Sequence, residues 1–168
     1  ESVESFLKRR ERSFAELSAE LTGEDPRILL GAEVLICDGM ERLDGLERLC
    51  LQGTNELLLE MPFYSWSEQI WDTVYRLNES DDIQIVLAHA DRYPAERIEQ
   101  LIREGIPLQL NVECLTKLLR RQRYLSWIEK GYVKYIGSDT HMLGMNYRDF
   151  EKCKKIIGRM NQKGLGDE

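Results

Sequence analysis

Five short apolar runs, spaced by amphipathic stretches, constrain this chain more than any other feature. They are ILLGAEV (28–34), ELLLE (56–60), IQIVLAH (83–89), PLQLNV (107–112) and YVKYIGSD (132–139). Near-continuous Ile, Leu and Val over this length is the pattern of a strand buried on both faces. The stretches between and around them carry apolar residues at helical spacing. Helices are expected over 2–21, 41–51, 66–78 and 94–104, once or twice over 113–130, and from Tyr147 to about Met160. Asp25-Pro26 breaks the chain after the first helix, and Gly105 and Gly131 end two of the others. Lys163 to Glu168 reads as a frayed end.

Strands alternating with helices imply an α/β fold with parallel strands and right-handed crossovers. A β/α barrel and an open doubly wound sheet both fit that order. No glycine-rich dinucleotide loop follows any run, which weakens the nucleotide-binding version of the open sheet. The chain has 168 residues and no low-complexity linker, which fits a single domain over 1–168.

Composition removes several classes. A net charge of −7 argues against nucleic-acid binding, which needs a basic face. It leaves phosphate chemistry open, because bound divalent metal reverses the local field. Cys37, Cys50, Cys114 and Cys153 are widely spaced with no C-x-x-C pair, as expected of reduced thiols in a cytoplasmic protein. No apolar run approaches the roughly 18 residues of a membrane span, and no signal peptide is visible.

Four of the five runs end in a metal-ligand residue type. ILLGAE ends on Glu33, ELLLE on Glu60, IQIVLAH on His89, and YIGSD on Asp139 with His141 two residues on. Strand ends converge on one rim of a β/α fold, and residues i and i+2 of extended chain point the same way. Carboxylates with imidazoles suit manganese, iron or zinc. Taken singly, each acid also fits a solvated loop residue, and His89 a satisfied core histidine. The joint pattern argues for a site, since the chain has only two histidines and both fall at strand ends.

These segments resemble a family. LLGAEV, LLLEMP, VLAHADRY, LQLNVECL and IGSDTH occur in the order of the later motifs of the PHP (polymerase and histidinol phosphatase) superfamily. They are most similar to its bacterial capsule-type protein-tyrosine phosphatases, which read G-x-E, I-E-F/x-P, A-H-P-E-R-Y, Q-x-N and S-D-x-H. The likeness spans about residues 5–160. It implies a distorted (β/α)7 barrel with a di- or trinuclear centre, most often manganese. It also implies Glu33, Glu60, His89, Asp139 and His141 as ligands, with Glu60 bridging. Arg92 and Arg148 would hold the substrate phosphate.

Two departures stand out. Ala90 and Asp91 replace the usual Pro and Glu, and no histidine precedes His89. The family's H-x-H motif and a later histidine therefore have no counterpart, and the expectation is a barrel whose first two βα units are absent. Edges so exposed call for cover by a partner chain, as in a homo-oligomer, by further residues, or by rearrangement.

The resemblance implies a metal-dependent phosphomonoesterase acting on a phosphotyrosine protein, a capsule-controlling tyrosine kinase. A small-molecule PHP phosphatase, such as one for histidinol phosphate, and a non-catalytic binding module remain as alternatives. The cluster Lys117, Arg120, Arg121 and Arg123 reads as a solvated helix face, with a phosphopeptide-docking patch as the sharper alternative.

Overall fold

A computed structural model describes residues 1–141 and 147–163. The expected frayed end lies outside the described residues from 164 onward. The elements are α1 (Val3–Ser18), β1 (Glu33–Leu35), β2 (Glu56–Glu60), α2 (Glu68–Asn78), β3 (Gln84–Leu87), α3 (Ala95–Arg103), β4 (Leu108–Asn111), α4 (Val112–Thr116), α5 (Arg121–Glu129), β5 (Val133–Gly137) and α6 (Tyr147–Lys163). The five strands form one sheet in the order β1-β2-β3-β4-β5, and the register pairs are parallel. A doubly wound sheet reverses its order at a switch point. This consecutive order has no reversal, as fits a parallel β/α fold.

Two compact units divide the chain, Glu1–Ile85 and Val86–Glu168. In the first, Ser2 caps α1 by accepting the Ser5 N–H at 3.2 Å. Leu7 is the buried residue of that helix, and Arg10 reaches the carbonyls of Gly31 (3.3 Å) and Arg48 (3.4 Å). Ser67 caps α2, and Trp66 donates to the Pro62 carbonyl at 2.7 Å, fixing the chain between β2 and that helix.

Two expectations for this unit need correction. The run ILLGAEV yields a strand only from Glu33, so Glu33 opens β1 instead of closing it. The preceding residues spend their backbone groups elsewhere: Leu30 N–H donates to the Gln52 side chain, Gln52 N–H to Leu30 O, and Ala32 N–H to Leu49 O. Leu29 and Glu33 are exposed, so the run is not buried on both faces. The helix expected over 41–51 is two 3-10 turns, Met40–Arg42 and Leu46–Leu49. Gly39 and Gly45, both at positive φ, start each turn anew, and extended Leu43 separates them.

The second unit follows the sequence closely. Pro94 precedes α3, Gly105 (φ 75) ends it, and Gly131 (φ 74) leads into β5. Ile98, Leu101, Leu108, Leu110 and Leu115 make its fully buried centre. Truncation of Leu110, which is 0% exposed, leaves a cavity. Leu110→Ala is expected to cost roughly 2–5 kcal/mol, read as a lowered urea midpoint at unchanged m-value.

Cys37 is exposed while Cys50, Cys114 and Cys153 are buried, and burial pushes all three of those thiols up. Iodoacetamide at about pH 8 is therefore expected to modify Cys37 first, with the other three reacting only on unfolding. Equal rates at Cys37 and Cys114 by mass spectrometry would contradict this burial.

Candidate functional site

The polar residues of the second unit gather where β3, β4 and β5 end. Strand β3 stops at Leu87, and His89 takes the left-handed conformation (φ 49, ψ 42). For a residue with a Cβ this backbone costs about 1–2 kcal/mol. An outside bond holds it: the His89 backbone N–H donates to Gln109 Oε1 at 2.6 Å. That contact fixes which way the Gln109 amide points. Its Nε2 then donates to the Leu110 carbonyl (2.9 Å) and to Asn111 Oδ1 (3.3 Å).

The same Asn111 Oδ1 lies 3.1 Å from His89 Nδ1. An amide oxygen can only accept, so Nδ1 carries the proton. In the neutral ring Nε2 is then the atom with the lone pair. Metal-ligating histidines are held this way, one ring N–H given to a carbonyl while the other nitrogen binds.

Gln109 and Asn111 sit at i and i+2 of β4, so they share a face, and both are buried. The β4–β5 register shifts between Leu108 and Gln109, and Gly137 pairs with Asn111. Irregularities of this kind re-aim side chains next to sites. A Cβ on Gly137 would stand 3.0 Å from Gln109 Nε2, so the glycine leaves room for the amide.

Asp139 lies two residues past β5, also left-handed (φ 50). Its carboxylate is shared three ways. The Arg92 guanidinium ion-pairs with Oδ2, His141 Nε2 lies 3.0 Å from Oδ1, and His89 Nδ1 lies 3.9 Å from Oδ2. Arg92 comes from the 3-10 turn Ala90–Arg92 that follows His89 directly. Asp91 in that turn accepts the Asn111 backbone N–H at 2.9 Å. Burial pushes the Asp91 carboxyl above its ordinary range, and that bond offsets it only in part. Tyr124 adds a bond to the Asp91 carbonyl at 3.3 Å. A pocket of about 360 Å³ opens here, lined by Asp91, Arg92, Asn111, Tyr124, Ser138 and Asp139 among others.

Of the residues singled out in the sequence, the second unit brings His89, Arg92, Asp139 and His141 together. His141 is exposed, and Arg148 stands exposed in the first turn of α6, outside the residues lining the pocket. In the first unit Glu33 is exposed on β1 and Glu60 half-buried at the end of β2. Glu33 pairs with Leu58 and Leu35 with Glu60, which puts both acids on one face of that ladder. Sequence reasoning missed Gln109, Asn111 and Asp91 as site residues. Two polar residues alternating inside the apolar run LQLNV were the available signal.

Gln109→Leu is expected to cost roughly 1–3 kcal/mol, since it orphans the buried His89 N–H. In long-range ¹⁵N–¹H spectra the His89 Nδ1 should carry the proton, and Asn111→Leu should abolish that preference. A ring protonated at Nε2 alone in the unmodified protein would overturn the assignment.

The model of the capsular polysaccharide synthesis CpsB/CapC family matches residues 2–167. Comparison with curated proteins and with solved structures finds no match. The consecutive parallel strands, the strand-end cluster in the second unit and the match along nearly the whole chain lead to one statement: this chain belongs to the CpsB/CapC family of capsular polysaccharide synthesis proteins.

Proposed function

We propose that this chain is a metal-dependent phosphomonoesterase of the PHP type, acting on phosphotyrosine in a cytoplasmic protein that controls capsule assembly. The observation that carries the reading is the Asp139 carboxylate, shared by His89, His141 and Arg92 beside an open pocket. The proposed ligands are Glu33, Glu60, His89, Asp139 and His141. Carboxylates with imidazoles fit manganese, with iron or zinc also suited. His89 fits the role because Asn111 holds its Nδ1–H, which fixes the tautomer with its lone pair on Nε2. Bound divalent metal would supply a Lewis acid that acidifies water and neutralises phosphate charge.

The chain's own residues do the rest. Arg92 now neutralises Asp139. A phosphate entering the pocket offers the guanidinium a second anion, and its fork can hold two phosphate oxygens. Arg148 is the proposed second clamp. Asn111 lines the pocket while its oxygen orients His89. Cys114 also lines the pocket, but burial pushes its thiol up, so it makes a poor thiolate nucleophile. This favours attack by water over a cysteinyl-phosphate route.

The test is the purified chain with added manganese on p-nitrophenyl phosphate, a phosphotyrosyl peptide and histidinol phosphate. Manganese-stimulated turnover with peptide preference is expected. Arg92→Ala should lower kcat about 10²- to 10³-fold, and His89→Ala should lower the metal retained by elemental analysis. Preference for the small ester would move the reading to a small-molecule phosphatase. No retained metal and no turnover would leave a binding module.

A further inference from the structure

We propose that the turn between α4 and α5 together with the start of α5, residues 117–123, is a docking lip for acidic polypeptide flanking the phosphorylated residue. The inference rests on the phosphatase reading above and names the chemistry of its substrate. Four cations and two leucines stand in this stretch (Lys117, Leu118, Leu119, Arg120, Arg121, Arg123), with no acid among them, in a chain of net charge −7. Lys117 is bonded to Glu113 at 2.8 Å. Arg120, Arg121 and Arg123 have no acidic partner among the described residues.

The two leucines sharpen the case. Leu118 is 79% and Leu119 81% exposed, the two most exposed large apolar residues described. Leu119 also lines the pocket that holds Arg92, Tyr124 and Asp139, so the lip is continuous with that pocket. Arg120 sits in the left-handed region (φ 65), which sets the turn ahead of α5. Within α5, Tyr124 and Trp127 meet edge to face at 5.5 Å, and Tyr124 donates to the Asp91 carbonyl. The lip is thus fastened to the turn that carries Arg92.

Cations at a rim steer acidic partners and confer salt dependence, while exposed leucines need apolar side chains to cover them. A polypeptide with acidic and apolar residues around its phosphate supplies both. An anionic polysaccharide supplies only the charge.

Fluorescence anisotropy with labelled phosphotyrosyl peptides tests the idea, using one peptide flanked by Glu and Leu and one flanked by Lys and Ser. The acidic peptide should bind on the order of 10-fold or more tighter, with a steep loss in high salt. Arg120→Asn with Arg123→Gln should remove most of that preference; asparagine accepts the left-handed backbone. Leu118→Ser should weaken the acidic peptide further. Circular dichroism checks the fold of each variant, and hydrolysis of p-nitrophenyl phosphate should be unchanged. Failure of that hydrolysis in the parent chain would sink the phosphatase reading, while the anisotropy still decides the lip. Equal binding of the two peptides overturns the proposal. So does polyglucuronate binding that is lost in the arginine variant while neither peptide is preferred.

Discussion

Two buried amides on β4 hold the candidate site in place. Gln109 accepts the backbone N–H of His89, and Asn111 accepts its ring N–H. Without the first bond, a histidine at positive φ would relax toward ordinary backbone and swing its ring. Without the second, either ring nitrogen could carry the proton. Each bond is worth only about 1 kcal/mol net. Their weight lies in geometry, because Gln109 also bonds Asn111 and so couples the two restraints.

Charge balance around Asp139 follows from that anchoring. A nearly buried carboxylate must find compensation, and here the Arg92 guanidinium supplies it, with the His141 ring beside it. Both partners can be exchanged without moving the backbone: Arg92 is a flexible side chain, and His141 is exposed. A carboxylate held by replaceable partners is suited to a site that exchanges its contents. The Asp91 carboxyl, burdened by burial, serves the fold instead by receiving the Asn111 N–H.

The first unit is less regular. Its β1 has three residues, and the chain before it pairs with residues 49–52 outside the ladder. Leu57 and Leu59 are buried on one face of β2, while Glu33, Leu35, Leu58 and Glu60 share the other. That second face carries the acids and an exposed leucine, so it is poorly covered among the described residues.

The sequence by itself determined the alternation of strands and helices, their parallel sense, and the convergence of His89, Asp139 and His141 on strand ends. Those features are local: apolar run length, glycine and proline punctuation, and residues at i and i+2. It also carried the resemblance to the capsule family, and the match over residues 2–167 bears out that family. Only the tertiary structure decided that Glu33 opens its strand, because that depended on which partner took the backbone bonds of residues 30–32. Only the structure, too, showed Gln109 and Asn111 as the clamp on His89. Their role rests on hydrogen bonds spanning 20 and 22 residues, and no pattern along the chain encodes which buried donor will meet which acceptor.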